Sequence, residues 1–312
     1  MTRIGNSVLD VHPLCLGGNV FGWTADEEQS FAVLDAYAAA GGDFVDTADV
    51  YSAWAPGNSG GESETIIGRW LARTGRRDDI VVATKVGSHP EFKGLKAETI
   101  KQGAEASLRR LGTDRIDLYY SHFDDLSVPV EEIVTALDAL VREGKVRVLG
   151  ASNISPERLA ASLDFAEREG LARYEIIQPQ YNLVERDAYE GPLADLARER
   201  GLSAAPYYGL ARGFLTGKYR PDGDRTGSPR AGQAAAFLDT ERGTKVLAAL
   251  DEVAAAHDAE PATVALAWLA AQPTVVAPIA SASKVEQVAA LTAIAELKLT
   301  DEELDRLTAA SA

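Results

Sequence analysis

The feature that most constrains the fold of this chain is a regular alternation of short apolar runs with amphipathic helical stretches. It continues without a linker from about residue 14 to residue 298. Most runs are rich in Val, Ile and Leu, as strands buried on both faces are. The stretches 97–111 and 129–143 place apolar residues on one helical face. Eight such repeats predict a parallel (β/α)8 TIM barrel. The predicted strands are residues 14–17, 43–46, 80–85, 116–121, 146–151, 175–178, 202–206 and 275–279.

A doubly wound sheet is the alternative arrangement for alternating strands and helices. It usually opens with the glycine fingerprint G-x-G-x-x-G after the first strand. The segment from Gly17 to Gly22 only approximates that fingerprint. Because single barrels reach about 250 residues or more, we expect one α/β domain over residues 1–312.

Three pieces fall outside eight simple repeats. Residues 2–11 resemble a β-hairpin turning at Gly5-Asn6-Ser7 that closes the barrel bottom, while residues 245–257 and 301–311 are predicted to be extra helices. Residues 220–243, rich in Gly and Pro, are predicted to form a mobile loop of the kind that often serves as a lid or binding loop.

Helix starts are marked by capping chemistry. A Ser or Thr followed three residues later by Glu predicts a capping box, and Ser before Pro predicts a cap with proline at the first helical position. The predicted boxes are Thr24 with Glu27, Ser283 with Glu286 and Thr300 with Glu303, and the Ser-Pro start is Ser155-Pro156.

Composition excludes several classes of function. The chain has 31 Lys and Arg against 47 Asp and Glu, and a formal charge of −16 disfavours a nucleic-acid partner. No apolar stretch approaches the ~18 residues of a membrane helix, and the first residues lack the apolar region of a signal peptide. A single cysteine, Cys15, and no His pair at metal-ligand spacing argue against disulfides and a metal site. We therefore expect a cytoplasmic protein with no membrane partner.

Four polar residues follow or end neighbouring predicted strands. Asp46 ends the second strand, Lys85 the third, and His122 follows the fourth, with Tyr51 five residues after Asp46. Catalysis in barrels gathers at the C-terminal ends of strands. A tyrosine has a pKa of ~10, and a nearby lysine is expected to lower that pKa and make Tyr51 a general acid. Asp46 would hold Lys85 charged, and His122 would orient a carbonyl oxygen.

Each of these residues also has a plainer interpretation. Asp46 and Lys85 could form a structural ion pair, Tyr51 could be a loop aromatic, and His122 an ordinary residue at the barrel rim. A third interpretation is a Schiff-base aldolase with Lys85 as nucleophile. Asp46 argues against that chemistry, since a carboxylate raises an ammonium pKa.

The last predicted strand–helix junction favours an anion. At Ser281-Ala282-Ser283-Lys284 a helix N-terminus would offer free amide hydrogens, hydroxyls and one ammonium to a phosphate. A well-capped helix without a ligand is the alternative.

The sequence resembles the aldo-keto reductase family at six motifs, which occur in order from about Arg3 to Leu307. The resemblance implies a (β/α)8 barrel that binds NADPH and reduces small-molecule aldehydes or ketones, with Asp46, Tyr51, Lys85 and His122 as catalytic tetrad and Tyr51 as proton donor. The motifs are Asp46-Thr47-Ala48-x-x-Tyr51, the Lys85 strand, Ser121-His122, Gly150-Ala151-Ser152-Asn153, Gln178-x-x-Tyr181-Asn182 and Gly213-Phe214-Leu215-Thr216-Gly217-Lys218-Tyr219.

The resemblance also implies a set of cofactor-binding residues. The residues that bind the carboxamide correspond to Ser152, Asn153 and Gln178, and the aromatic that stacks on the nicotinamide corresponds to Tyr207. The loop that runs along the pyrophosphate corresponds to Leu215, Gly217 and Lys218. The junction that binds the adenosine 2′-phosphate corresponds to Ser281, Ser283, Lys284 and Gln287. The chain departs from the family at Tyr208-Gly209, where Ser-Pro is usual, and at Ala290-Leu291, where many members carry Glu-Asn.

An aromatic pocket is expected beside the tetrad. Aromatic linings accept many carbonyl compounds, so the pattern does not name a substrate. A redox-sensing or regulatory subunit on the same barrel is the alternative to an NADPH-dependent carbonyl reductase. The expected pocket residues are Trp23, Trp54, Phe123 and Tyr208.

Overall fold

The structure of the protein is a computed structural model that describes residues 1–220, 223 and 231–312. Its sheets contain a parallel eight-stranded barrel sheet and two short antiparallel pairs. In chain order the strands are β1 (Thr2–Arg3), β2 (Asp10–Val11), β3 (Cys15–Gly17), β4 (Phe44–Asp46), β5 (Val81–Val86), β6 (Ser88–His89), β7 (Phe92–Lys93), β8 (Ile116–Ser121), β9 (Val146–Ser152), β10 (Tyr174–Gln178), β11 (Ser203–Ala204) and β12 (Ile279–Ala280).

The large sheet has the order β11-β10-β9-β8-β5-β4-β3-β12. Backbone hydrogen bonds also join the two ends of this order. The Ala204 amide donates to the carbonyl of Thr274 (2.8 Å), and the Val276 amide donates to the carbonyl of Ala204 (2.9 Å). The sheet therefore curls back on itself, which confirms the (β/α)8 barrel and rules out an open doubly wound sheet.

The eighth strand differs from its predicted range of 275–279. Val275 bridges Ala204, whereas pairing with β3 begins only at Ile279. Between them lies Pro278, which has no amide hydrogen to donate to a ladder. Contacts to both neighbours continue around this proline, because the amide of Ile279 donates to the carbonyl of Pro206 (2.8 Å) and the carbonyl of Pro278 accepts from the amide of Cys15 (3.0 Å).

The predicted N-terminal hairpin is confirmed and lies across the amino end of the barrel. Ile4, Leu9 and Val11 are buried in one cluster with strand residues that face the barrel interior, such as Leu118. The amide of Gly5 donates to Oγ of Ser203 (2.8 Å). Gly5 has a φ of 48°, and a Cβ there would lie 2.6 Å from the backbone oxygen of Glu175. Only glycine fits this turn.

Helices pack around the barrel with their apolar faces inward. The predicted helix at residues 97–111 is found with those bounds, and its Ile100, Ala104 and Leu111 are buried. The α-helices are α1 (Glu27–Ala39), α2 (Glu62–Thr74), α3 (Ala97–Leu111), α4 (Val130–Arg142), α5 (Pro156–Glu169), α6 (Pro192–Glu199), α7 (Ala231–Ala235), α8 (Glu241–His257), α9 (Pro261–Ala270), α10 (Val288–Thr292) and α11 (Asp301–Ala310). Short 3₁₀ turns occupy Ala211–Thr216, Ala236–Asp239, Val285–Gln287 and Ala293–Ala295.

The prediction of a structureless segment at 220–243 is wrong over its second half. Helix α7 and a 3₁₀ turn cover 231–239, and α8 begins at Glu241 rather than at 245. The early start follows from Thr240, whose Oγ1 accepts the amide hydrogen of Gly243 (3.0 Å). Residues 221, 222 and 224–230 of the predicted loop lie outside the described residues.

Two of the predicted helix starts are confirmed and two are wrong. Thr300 and Glu303 form a capping box, and Ser155 caps α5 before Pro156. Helix α1 is instead capped by Asp26 with Gln29, because Thr24 lies in the preceding turn. At the last junction the cap partner is the side chain of Gln287, not Glu286. Among the helices that the structure describes, none is long and apolar enough to cross a membrane.

Candidate active site

The structure brings Asp46, Tyr51, Lys85 and His122 together at the carboxyl ends of three neighbouring strands. Asp46 is the last residue of β4, Lys85 lies near the end of β5, and His122 follows β8. These strands are adjacent and parallel, so their ends meet at one edge of the barrel. Tyr51 reaches the same place from the turn after β4, and its ring lies 6.1 Å from the ring of His122.

The ammonium of Lys85 is the centre of this group. Its Nζ donates hydrogen bonds to Oδ2 of Asp46 (2.6 Å), to the carbonyl of Thr47 (2.7 Å) and to Oη of Tyr51 (2.8 Å). All three ammonium hydrogens are therefore used. Lys85 and Asp46 are both fully buried. A nitrogen with three donated bonds has no free electron pair, which argues against Lys85 as a Schiff-base nucleophile.

Tyr51 is also bound to Asp46, since its hydroxyl donates to Oδ2 (3.2 Å). Burial, followed by the negative charge of Asp46, holds the pKa of Tyr51 well above its ordinary value. This direction is opposite to the expectation that Lys85 would lower it. The main reason is burial, which disfavours the charged phenolate, and the charge of Asp46, which contacts both groups, acts in the same direction. Burial lowers the pKa of Lys85 below its ordinary value, although the charge of Asp46 acts in the opposite direction.

His122 is held as a neutral imidazole. Burial, and then the charge of Lys85, lower the pKa of His122 well below its ordinary value. Its main chain is fixed on both sides, because its amide donates to Val86 (3.0 Å) and its carbonyl accepts from the side chain of Asn153 (2.9 Å). A neutral imidazole carries one N–H, which it can donate to an oxygen.

Four of the predicted cofactor residues form a continuous hydrogen-bonded chain beside this group. Tyr207 Oη donates to Oδ1 of Asn153 (2.9 Å), and Asn153 Nδ2 donates to Oγ of Ser152 (2.9 Å). Ser152 Oγ donates to the backbone carbonyl of Gln178 (2.8 Å). The side chain of Gln178 donates in turn to Oδ1 of Asp46 (2.9 Å). Amide, hydroxyl and phenol groups thus line the edge of the site from β9 to Asp46.

Comparison with known proteins gives this geometry its context. A family model described as aldo/keto reductase family matches residues 13–312. The chain belongs to the aldo/keto reductase family. It is 35% identical over 296 residues to aldo-keto reductase str7 of Strobilurus tenacellus, covering 91% of this chain and 81% of that protein. It is 33% identical over 313 residues to norsolorinic acid reductase stcV of Emericella nidulans, covering 94% and 76%. Protein tas of Escherichia coli is 30% identical over 334 residues, covering 98% and 96%.

Aldo/keto reductases are oxidoreductases that use a nicotinamide cofactor and act on carbonyl groups, and this chain is one of them. The donor set beside Asp46 fits such a cofactor. Ser152 and Asn153 present hydroxyl and amide groups of the kind that bind a carboxamide, and the half-buried ring of Tyr207 lies on the same edge. A flat aromatic ring beside amide-binding groups suits a nicotinamide.

In this aldo/keto reductase the loop after β11 carries three further predicted cofactor residues. Leu215 is fully buried, whereas Lys218 is exposed and its Nζ lies 4.9 Å from the centre of the Tyr219 ring. Gly217 has a φ of 73°, and a Cβ there would meet the guanidinium of Arg220 at 2.9 Å. Glycine is therefore favoured at this position, both by its left-handed backbone and by the Arg220 side chain packed against it.

The junction after β12 differs from the expectation of a helix offering free amides. The amide hydrogens of Ser283 and Lys284 are both bound to Oε1 of Gln287, at 2.9 and 3.1 Å. A short 3₁₀ turn follows and leads into α10, which has only five residues, so the helix dipole at this junction is small. Ser281 Oγ donates to Oδ1 of Asn19 (2.7 Å). The exposed Lys284 makes no ion pair with any residue in the described part of the chain. Charge and hydroxyls, rather than helix amides, are what this junction presents.

Three of the four predicted pocket residues surround the mouth of the site. Trp54 packs edge-on against Trp23 (5.6 Å between ring centres) and lies 6.1 Å from Tyr51. Phe123 stacks on His122 (5.0 Å) and is 54% exposed, which excludes core packing as its role. The fourth, Tyr208, packs edge-on against Tyr207 (5.1 Å between ring centres), and the guanidinium of Arg212 lies 4.2 Å from its ring centre.

Sequence reasoning missed two groups near the site. Arg212 lies in the glycine-rich loop and pairs with Glu185 through Nη1 (3.0 Å). A basic residue between Gly209 and Gly213 was the available signal. The second group is Asp49, a buried carboxyl between Asp46 and Tyr51, with buried Glu64 nearby. Its signal was a second acidic residue within the same motif.

Proposed function

We propose that this protein is an NADPH-dependent reductase of aldehydes and ketones in which Tyr51 donates the proton. The observation that carries the proposal is the contact of both Lys85 Nζ and Tyr51 Oη with one oxygen of Asp46. Tyr51 is protonated at neutral pH, and the ammonium of Lys85 at 2.8 Å from its oxygen stabilises the phenolate once the proton has passed to a substrate oxygen. Both properties suit a proton donor that must not lose its proton to solvent.

The roles of the side chains follow from their hydrogen bonds. When bound, the nicotinamide supplies the hydride that reaches the carbonyl carbon. Tyr51 gives its Oη proton to the carbonyl oxygen, which completes the alcohol and leaves a phenolate. Lys85 already donates to Oη at 2.8 Å, so its ammonium offsets the phenolate charge without moving. His122 donates its N–H to the same carbonyl oxygen and orients it.

Ser152, Asn153 and Gln178 would hold the carboxamide, with the Tyr207 ring against the nicotinamide. The chain of hydrogen bonds among these residues supports this assignment, because each side chain is already oriented before a ligand binds. The binding loop would be completed by Leu215, Gly217 and Lys218.

Preference for NADPH over NADH would rest on Lys284. Its ammonium has no counter-ion among the described residues, and the hydroxyl-bearing Ser281 and Ser283 precede it closely in the chain. In a chain of formal charge −16, a 2′-phosphate needs a local cation. Gln287 would release the two amides it now binds.

The exposed aromatic rings favour carbonyl groups attached to flat aromatic systems. Trp54 and Phe123 flank Tyr51 and His122 from two sides. A similar protein from Pestalotiopsis microspora, 31% identical, is named aryl-alcohol dehydrogenase. We further propose that residues 1–312 act as one domain; a cytoplasmic location stays a prediction.

The test is a panel of aldehydes, ketones and sugars with NADPH and with NADH, followed by loss of nicotinamide absorbance. Tyr51→Phe keeps the ring and removes the proton, so kcat should fall ~10²–10⁴-fold. Cofactor affinity, measured by fluorescence quenching, should stay unchanged. Reduction at nearly the wild-type rate by the variant would eliminate Tyr51 as the acid. Tight cofactor binding without turnover on any carbonyl would favour the regulatory alternative.

A further inference from the structure

Asp49 is a fully buried carboxyl that ties the turn carrying Tyr51 to the strand carrying Lys85. Its amide donates to the carbonyl of Lys85 (3.1 Å). Its Oδ2 accepts the amide hydrogens of Gly87 (3.2 Å) and His89 (3.4 Å), the residues that follow β5. The turn then closes with the amide of Tyr51 on the carbonyl of Ala48 (3.2 Å). The position of Tyr51 therefore depends on the Asp49 side chain.

The charges around Asp49 leave it without a counter-ion. Helix α2 contributes Glu64, which is fully buried, and α3 contributes Arg110. Arg110 Nε donates to Oε2 of Glu64 (2.6 Å), and Thr84 Oγ1 donates to Oε1 of Glu64 (2.5 Å). The ammonium of Lys85 is bound to Asp46, Thr47 and Tyr51. Both nearby cations are thus taken by other acceptors.

The remaining groups that face Asp49 do not supply positive charge. The phenol of Tyr119, on β8, is buried, and its hydroxyl has no partner in the described part of the chain. His89 offers its backbone amide to Asp49, while its ring nitrogen Nδ1 accepts from the amide of Glu91. Oδ1 of Asp49 is itself buried and without a partner among the described residues.

We propose that Asp49 is a positioning residue for the Tyr51–Lys85 pair that acts as a neutral acid, so that its ionisation slows carbonyl reduction. Two neighbouring buried carboxyls, of which only one contacts a guanidinium, cannot both be ionised without a large electrostatic penalty. Glu64 makes the direct contact with Arg110, so the proton stays on Asp49. Burial, and then the charge of Glu64, raise the pKa of Asp49 to about 7.

Ionisation of Asp49 acts on the reaction through Lys85. A negative charge at Asp49 raises the pKa of Lys85, as the charge of Asp46 does. The ammonium of Lys85 then also compensates the charge of Asp49, so it stabilises the Tyr51 phenolate less. Reduction should therefore slow as the pH rises through about 7, before Tyr51 itself titrates. This inference rests on the proposed role of Tyr51.

The test compares the pH profile of kcat in three variants. In Asp49→Asn, which is neutral at every pH, the decline near neutral pH should disappear. In Glu64→Gln the like charge is removed and Arg110 is released, so the decline should move to lower pH. Asp125→Asn is the matched control. Asp125 also accepts a backbone amide hydrogen, from Leu95 just after β7 (3.0 Å), but its side chain is partly exposed. It should leave the decline in place.

We expect the kcat of the wild type to fall roughly tenfold as Asp49 ionises, which corresponds to a rise of about one unit in the pKa of Tyr51. A decline that is unchanged in Asp49→Asn would overturn the proposal, whatever Glu64→Gln does. So would a shift in the same direction in both.

A second measurement needs neither cofactor nor turnover. Because the folded-state pKa of Asp49 lies above that of the unfolded chain, the wild type loses stability as pH rises from about 4 to about 7. The difference in melting temperature between Asp49→Asn and wild type should grow over that range and level off above it. A difference in melting temperature that is constant with pH would show that Asp49 does not hold the proton, whether or not the protein reduces a carbonyl.

Discussion

Gln178 and Asp46 lie 132 residues apart in the chain, yet the side-chain amide of one donates to the carboxylate of the other at 2.9 Å. Asp46 can only accept hydrogen bonds, which fixes the amide nitrogen of Gln178 toward it. Oδ2 of Asp46 accepts hydrogen bonds from Lys85 and Tyr51, while Oδ1 accepts one from Gln178. A residue expected to hold the cofactor thus also holds the carboxylate that orients the proton donor.

Gln178→Leu should therefore impair more than cofactor binding. Removing the amide leaves Oδ1 of buried Asp46 unsatisfied, which should lower the free energy of unfolding by about 1–3 kcal/mol. The cofactor-free protein shows this in urea denaturation. Ser152→Ala is the control, because the hydroxyl of Ser152 contacts the backbone carbonyl of Gln178 and the side chain of Asn153 but not Asp46. Equal stability losses in the two variants would contradict the Asp46 contact as the cause.

Lys85→Met should be strongly destabilising. The substitution keeps the stem of the side chain but leaves Asp46 as an uncompensated buried charge, which typically lowers stability by ~3–5 kcal/mol. The double variant Asp46→Asn/Lys85→Met should recover a large part of that loss. Chemical denaturation of the two variants measures the difference. A double variant no more stable than Lys85→Met alone would show that the charge is not the cause.

Lys284→Ala should weaken NADPH binding roughly ten- to a hundredfold and barely change NADH binding. A charge-assisted hydrogen bond is worth ~1.5–3 kcal/mol. Lys245→Ala is a matched control, since it changes the net charge equally but removes a lysine that already pairs with Glu241 (2.6 Å). Fluorescence titration of both cofactors decides the matter. Equal losses for NADPH and NADH would reject Lys284 as the phosphate ligand.

Trp54→Ala should raise KM for aromatic aldehydes about two- to tenfold and leave KM for short aliphatic aldehydes nearly unchanged. The reason is the loss of one aromatic wall, worth ~0.5–1.5 kcal/mol beyond the buried area. Trp54 is 48% exposed, so the fold should tolerate the change. Initial-rate kinetics with matched aromatic and aliphatic substrates gives the answer. A parallel rise in both KM values would speak against a substrate wall at Trp54.

The sequence was sufficient for features that depend on local pattern. Buried strands and amphipathic helices follow from residue spacing, and parallel strand ends meet at one edge, so Asp46, Lys85 and His122 could be placed together in advance. The bounds of the eighth strand were not predicted correctly, because Val275 makes only a single bridge and regular pairing with β3 begins at Ile279, after Pro278.

Contacts between distant segments could not be predicted either. The side chain of Gln178 reaches Asp46 across the barrel, and Glu64 takes the only guanidinium near Asp49 among the described residues. The pKa of Tyr51 is raised, against expectation, because the folded chain buries the phenol and places the charge of Asp46 against it. Spacing along the chain reveals neither the depth of burial nor how Asp46 is shared.

The hairpin that closes the amino end of the barrel has a consequence for the order of folding. Gly5 is bound to Ser203, 198 residues later, and the amide of Asn6 is bound to Glu175, 169 residues later. Chains are synthesised from the N-terminus, so the first residues to leave the ribosome must wait for most of the protein before they dock. Until then, Ile4, Leu9 and Val11 have no interior to enter. Sealing of the barrel is therefore a late event, and a nascent chain stopped before residue 175 would carry this apolar segment uncovered.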